Sequence, residues 1–116
     1  GDPYHCYCHK TTRLISEKFN KIKLITTFQS RFGPQEWLKP YTDKTLEKLP
    51  SEGIKKVLVI SPGFASDCVE TLEEISIQGK ESFEKFGGEK FEFVPCLNDN
   101  VDHIKLLEYL VRKNLD

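Results

Sequence analysis

The chain has 116 residues, and its 17 basic and 18 acidic side chains leave a formal net charge of −1. This length suits one modest domain rather than two, and the balanced charge excludes the dense basic face by which proteins bind nucleic acids. The sequence also has neither an apolar run long enough for a membrane span nor a signal-peptide core, so we expect a cytoplasmic protein.

The N-terminus predicts a helix. Asp2 and Pro3 suit its N-cap and first turn, and Cys8, Ile15 and Phe19 give it an apolar stripe. In a strand–helix–strand unit such a helix follows a strand, and none precedes it here. Since the sequence also contains no methionine, we expect a segment of a longer protein, with the first strand of the sheet missing.

Two strands and a short helix are predicted in the middle of the chain. β-Branched and aromatic residues favour a strand over residues 22–28, and Thr42 is suited to capping a helix that ends near Pro50. Residues 57–60 form a continuous apolar run, which is typical of a parallel strand buried on both faces.

The C-terminal half continues the alternation of helices and strands. A helix is predicted from about Asp67 to Gly79, resuming to Phe86, and a strand follows over residues 91–94. The last helix begins at residues 98–100 and carries apolar side chains at helical spacing, namely Val101, Ile104, Leu107 and Val111. This order predicts an α/β fold, a parallel sheet with helices on both faces.

Three carboxylates lie on the predicted helix that follows residues 57–60. Asp67, Glu70 and Glu74 are spaced i, i+3, i+7 and so share one helical face. Such a row can accept protons and can offer hard oxygen ligands to a cation. Two other interpretations stay open. The apolar Val69 and Leu72 lie on the opposite face, so the acidic side chains could simply form the solvent-facing side of the helix. Asp67 with Glu70 also resembles a capping box.

Four stretches of the sequence resemble the C-terminal part of bacterial ferrochelatases. They are GDPY at the start, QSRFGPQEWLKPYTD from Gln29, SPGFASDCVETLEEI from Ser61 and PCLNDN from Pro95. The resemblance covers essentially the whole chain. It implies that residues 1–116 form part of the C-terminal domain, a Rossmann-like chelatase fold, of an enzyme that inserts ferrous iron into protoporphyrin IX in heme biosynthesis.

The resemblance also assigns the acidic row. It implies that Glu70 is the catalytic carboxylate, that Glu70, Glu74 and Asp67 handle the metal, and that this helix contains a widened, π-type turn. The resemblance implies a further acidic residue four positions after Glu74, but the neutral Gln78 stands there, which departs from the family. The family's catalytic histidine belongs to an SAH-type motif before GDPY, and none of the three histidines matches it: His5, His9 and His103.

Porphyrin contacts are implied for two aromatic and two polar side chains. The resemblance places Trp37, Phe64, Ser30 and Gln29 at the porphyrin cleft, and flat rings suit a flat macrocycle. The residues themselves leave open that Trp37 packs its loop onto the domain. Coproporphyrin as the substrate, and a porphyrin- or heme-binding module without catalysis, are the alternative functions.

The four cysteines raise the question of a metal centre. Some bacterial ferrochelatases carry a 2Fe–2S cluster on four cysteines, but Cys6 and Cys8 point about 200° apart on a helix, and convergence with Cys68 and Cys96 has no support in the sequence. We therefore expect no required cofactor, with ferrous iron and porphyrin as substrates. The isolated chain is expected to be inactive and to self-associate, and any peripheral membrane contact is expected from the missing domain.

Overall fold

The computed structural model describes residues 1–30, 36 and 38–115. Its elements follow one another as α1 (Tyr4–Ser16), α2 (Thr42–Lys48), a 3₁₀ turn (Leu49–Glu52), β1 (Lys56–Val59), a π-helix (Glu70–Gly79), α3 (Lys80–Lys85), β2 (Lys90–Phe93) and α4 (Val101–Lys113). The described chain is thus a mixed α/β structure. None of its described helices is long and apolar enough to cross a membrane.

The sheet consists of two parallel strands among the described residues. β1 pairs with β2 so that Val57 lies opposite Phe91 and Val59 opposite Phe93. The π-helix and α3, which follow each other without a break, form the crossover that a parallel pair requires. The strands predicted over residues 57–60 and 91–94 are therefore confirmed, each beginning one residue earlier than expected.

The burial expected on both faces of β1 is not found. Val57 and Val59 pack against the core, but Leu58, which points to the other face, is 66% exposed. Successive side chains of a strand face opposite sides, and the described helices cover only one of them. The coarser α/β prediction is therefore confirmed, and helices on the second face of the sheet stay a prediction.

The core joins the helices to one face of the sheet. It consists of Leu46, Leu49, Ile75, Phe83 and Phe91. Phe83 is completely buried, and its ring is tilted against that of Phe91 at a centroid distance of 6.2 Å. The core therefore holds the π-helix, α2 and α3 in place against β2.

Residues 22–28 do not form the predicted strand. Only Phe28 pairs, in an isolated parallel bridge with Tyr41, supported by hydrogen bonds from Phe28 N to Pro40 O (2.9 Å) and from Thr42 N to Phe28 O (3.0 Å). β-Propensity acts largely through packing against neighbouring strands. Because β1 and β2 pair with each other in a two-stranded sheet, residues 22–27 have no described ladder to join.

The two terminal helices keep much of their apolar surface exposed. α1 contains no buried residue, and Phe19 of its predicted stripe lies beyond the end of the helix and is half exposed. α4 has the predicted apolar spacing, yet its exposed residues include Val101, Ile104, Leu107 and Val111. The described part of the chain therefore does not itself cover these two helix faces.

Candidate functional site

The acidic residues lie where the chain leaves β1 and enters the π-helix. Ligands of α/β proteins commonly bind beyond the carboxyl ends of parallel strands. The widened turn that the resemblance implied is present, and it extends over the ten residues Glu70–Gly79. π-Helical turns are rare and occur frequently at functional sites, so this helix is a candidate functional site.

Asp67 lies in the loop before the π-helix, which corrects the predicted helix start. Its Oδ2 accepts a hydrogen bond from Asn98 Nδ2 (2.8 Å), and its Oδ1 accepts from Thr71 Oγ1 (2.9 Å) and from Cys96 N (3.3 Å). The bond from Asn98 is the main reason why the pKa of Asp67 falls from 3.8 to about 2, although partial desolvation opposes the shift. Asp67 is therefore ionised at neutral pH, and it ties the π-helix to residues 96–98.

The capping-box interpretation of Asp67 and Glu70 is wrong. In that motif the Glu side chain would accept from the backbone N–H of Asp67, but Asp67 N donates to Asn98 Oδ1 at 2.8 Å. The Glu70 carboxylate instead bonds to the Cys68 thiol and to its own backbone N–H, and these bonds lower the pKa of Glu70. Glu70 is thus an ionised, half-buried carboxylate at the first position of the π-helix.

Gln29 and Ser30 connect the acidic row to the segment that follows residues 22–28. Gln29 Nε2 donates to the backbone oxygen of Glu70 at 2.8 Å. The backbone N–H and the hydroxyl of Ser30 donate to the two carboxylate oxygens of Glu74, each at 2.8 Å. Both predicted porphyrin-site polar residues are therefore in contact with the predicted metal-site residues.

Ser30 reaches Glu74 with an uncommon backbone conformation. Its φ is +60°, in the left-handed region that residues other than glycine seldom adopt. Such conformations cost roughly 1–3 kcal/mol, persist only where the surroundings impose them, and cluster at binding and catalytic sites. The paired bonds to Glu74 are the surroundings that hold Ser30 in this conformation.

A groove of about 580 Å³ opens beside Ser30 and Glu74. This volume lies within the roughly 300–1,000 Å³ of typical small-molecule sites. The groove is lined on this side by Val69, which directly precedes the π-helix, and by five residues of the π-helix, namely Glu73, Glu74, Ile75, Gln78 and Gly79. Gln78, the neutral residue four positions after Glu74, therefore faces the same space as Glu74.

The two aromatic predictions have different outcomes. Phe64 lies half-buried in the loop between β1 and the π-helix, with its N–H bonded to Ser61 O at 3.1 Å, and it is not among the described residues that line the groove. Trp37 falls outside the described residues. Porphyrin contact by either ring stays a prediction.

The described residues contain no group of three or more histidine, cysteine, aspartate or glutamate side chains suited to holding a metal ion. All four cysteines are free thiols. Asp67 has both carboxylate oxygens bonded to protein donors, and Glu74 has both bonded to Ser30. The acidic row is thus an arrangement of charged, hydrogen-bonded carboxylates rather than a closed metal site.

Asn98 is the site residue that sequence reasoning missed. The sequence suggested only that it starts the last helix, whereas it exchanges two hydrogen bonds with Asp67 and adopts a φ of +48°. Asparagine is one of the few residues that tolerate the left-handed region. The signal was present in the PCLNDN stretch, which resembles the family but carries no obvious chemistry by itself.

One family of known proteins matches nearly the whole chain. The ferrochelatase family profile matches residues 1–115. Curated ferrochelatases of Allorhizobium ampelinum, Rhizobium meliloti and Marinobacter nauticus are 59%, 56% and 54% identical to the chain over 99–100% of its length. The matches cover 34%, 35% and 32% of those proteins, so the chain spans about a third of the length of the curated relatives it matches.

Proposed function

The chain belongs to the ferrochelatase family, and we therefore propose that it is the carboxylate-bearing part of an enzyme that inserts ferrous iron into a porphyrin in heme biosynthesis. The observation that supports this most strongly is the π-helix itself, which presents Glu70 and Glu74 and anchors them to Gln29 and Ser30. Ferrous iron and the porphyrin are the substrates in this proposal.

Iron insertion requires two pyrrole protons to leave the macrocycle as a divalent cation enters, so a site for it needs proton acceptors and negative charge. Glu70 suits the first acceptor, because it is ionised before the reaction and stands at the first position of the π-helix. Glu74 follows four residues later on the same helix and reaches the groove. We assign to Glu70 the acceptance of one of the two protons and to Glu74 its transfer towards the groove. The second proton would go to the catalytic histidine that the proposal places outside this chain.

Asp67, Gln29 and Ser30 have supporting parts in this proposal. The oxygens of Asp67 are occupied by Asn98 and Thr71, which suits a residue that fixes the start of the π-helix more than one that binds iron. Gln29 and Ser30 fix the backbone of Glu70 and the carboxylate of Glu74. Holding catalytic groups in one geometry is a large part of what an enzyme site contributes.

The other two thirds of a full-length ferrochelatase would complete the proposed site. They would supply the catalytic histidine, the opposite wall of the porphyrin cleft, the first strand of the sheet, and the helices over the exposed face of β1. Trp37 and Phe64 are proposed to contact the macrocycle. Protoporphyrin IX is the substrate that we propose, and coproporphyrin is the competitor to be measured beside it.

A chimera tests this function. In the ferrochelatase of Allorhizobium ampelinum the matching third, which is 59% identical, is replaced by this chain. We expect the chimera to form metalloporphyrin from ferrous iron and protoporphyrin IX under anaerobic conditions, whereas the truncated relative without this third does not. A folded chimera that binds porphyrin but forms no metalloporphyrin above a protein-free control would contradict catalysis and favour the binding-module alternative.

A further inference from the structure

Two histidines on α1 form a close pair that the proposed function does not use. His5 and His9 are spaced i, i+4, and both are exposed. Their Nε2 atoms lie 3.2 Å apart, and their ring centroids lie 4.4 Å apart. Neither belongs to a motif of the family resemblance that carries a catalytic role, so the pair requires its own explanation.

The two Nε2 atoms lie within hydrogen-bond distance of each other, and the same separation suits two ligands of one shared metal ion. Imidazole nitrogens bind late first-row divalent metals at about 2.0–2.1 Å. Two such bonds and a nitrogen separation of 3.2 Å give an N–metal–N angle of about 100°, close to the tetrahedral value. The pair therefore has the spacing of two adjacent coordination positions without any movement of the helix.

Phe28 holds both rings in this arrangement. The His5 ring is stacked on Phe28 at a centroid distance of 5.5 Å and an interplanar angle of 19°, and the His9 ring is tilted against it at 6.1 Å. Phe28 is only 6% exposed and is fixed by its bridge to Tyr41. A rigid support reduces the entropy that the two side chains would lose on binding, so it favours a shared ligand.

The neighbouring thiols do not complete the pair in the structure. The Cys8 thiol is hydrogen-bonded to Tyr4 and raises the pKa of the Tyr4 hydroxyl, and no group of three metal-binding side chains occurs among the described residues. A metal at the pair would therefore complete its coordination with water. Binding requires both Nε2 lone pairs, so each ring would carry its hydrogen on Nδ1.

We propose that His5 and His9 form a surface chelating site for a late first-row divalent cation, of the class to which imidazole binds well. The site stands apart from the acidic row in its chemistry, because it offers nitrogen rather than oxygen ligands. It is linked to that row through the chain, since Phe28 directly precedes Gln29 and Ser30, which bond to Glu70 and Glu74. The proposal does not depend on the proposed enzymatic function.

Nickel binding by the 116-residue chain tests the site. Calorimetric titration with Ni²⁺ at neutral pH, under reducing conditions, is expected to show one site in the unaltered chain. His5→Gln and His9→Gln are each expected to weaken binding about tenfold or more, because each leaves a single ligand in place of two linked ones. In NMR spectra of the histidine ring protons, Ni²⁺ should broaden the signals of His5 and His9 and leave those of His103 unchanged.

A register variant is the matched control. His9→Gln combined with Lys10→His retains the number of histidines but separates the second ring from His5 by about 140° around the helix, so it should bind as weakly as His9→Gln. Equal binding by this variant and the unaltered chain would overturn the proposal. Loss of binding in Cys6→Ser, with normal binding in His5→Gln, would overturn it in favour of a thiol site. The helical signal in the circular dichroism spectrum of each variant would show that the variant is folded.

Discussion

Ser30 and Glu74 are joined by two hydrogen bonds at the candidate site. Ser30→Ala retains the backbone N–H donor but removes the hydroxyl that bonds to the Glu74 carboxylate at 2.8 Å. Loss of a hydrogen bond to a charged group costs roughly 1.5–3 kcal/mol, so we expect the free energy of unfolding to fall by about that amount in urea titrations. Ser51→Ala is the control, because the exposed Ser51 hydroxyl bonds only to a neutral carbonyl. If Ser30→Ala and Ser51→Ala lowered the free energy of unfolding equally, the stabilising bond from the Ser30 hydroxyl to the Glu74 carboxylate would be contradicted.

Asp67 gives the chain a defined response to acid. Its pKa is about 2 in the folded chain against an ordinary value of 3.8, so the folded state binds fewer protons than the unfolded state between these values. The stabilisation by Asp67 is therefore fully present above about pH 4 and is lost as the pH falls towards 2. We expect Asp67→Asn to be less stable than the unaltered chain at neutral pH, with the difference shrinking across this window. A difference that stays constant from neutral pH to pH 2 would contradict the assignment.

For the individual site residues, the sequence predicts which side chains carry charge but not which groups they contact. The spacing of Glu70 and Glu74 placed both on one helix, as the structure has them. Asp67 was expected within the helix, and it lies outside because its donors include Asn98, 31 residues further along the chain. A local sequence pattern contains no information on a hydrogen-bond partner so far along the chain. The predicted porphyrin contact of Trp37 is a separate case, because Trp37 lies outside the described residues.

Gly88 shows how tightly the elements are packed around the turn that enters β2. A Cβ atom at this position would collide with the ring of Phe83, which is completely buried. Gly88→Ala is therefore expected to destabilise the chain by about 2 kcal/mol, as overpacking of a core typically does. Thermal and urea unfolding measure the effect.

Gly63→Ala is the control for this substitution, since a Cβ at Gly63 would lie at an ordinary contact distance of 3.7 Å from the Tyr4 hydroxyl. We expect it to change the free energy of unfolding by less than about 0.5 kcal/mol. A destabilisation by Gly88→Ala no larger than that of Gly63→Ala would show that the Phe83 ring gives way at little cost.

The strands show where local patterns succeed and where they fail. Residues 57–60 and 91–94 were predicted within one residue, because each has an apolar partner strand in the described chain. Residues 22–28 have similar β-propensity, yet only Phe28 pairs. Strand formation requires a neighbour that supplies hydrogen bonds, and sequence alone shows the preference for a strand but not the neighbour.

The whole chain presents apolar surface that its own described residues do not cover. Leu58 on the open face of β1 and Val111 on α4 are 66% and 59% exposed. Larger exposed apolar patches of this kind favour association, so we expect the isolated chain to self-associate with rising concentration in sedimentation experiments. Val111→Lys should lower the sedimentation coefficient, whereas Lys105→Gln, a change on the same helix, should not. A strictly monomeric chain at all concentrations would contradict this prediction.

The isolated chain is also expected to form no metalloporphyrin, because it spans about a third of the relatives' length and the proposed function places the catalytic histidine and the second cleft wall in the rest. A catalytic site depends on groups held on both sides of the substrate. Formation of metalloporphyrin by the chain alone, above a protein-free control, would show that the site is complete within 116 residues.

Turnover of the chimera with Glu70→Gln tests the central claim most directly. Removing a positioned proton acceptor typically costs about 10²-fold or more, so we expect iron insertion by this variant to fall at least that far, while the chimera stays folded and still binds porphyrin. Glu81→Gln, an exposed carboxylate on α3, serves as the matched control and is expected to retain normal turnover. Near-normal turnover of the folded Glu70→Gln chimera would contradict the assignment of catalysis to this carboxylate.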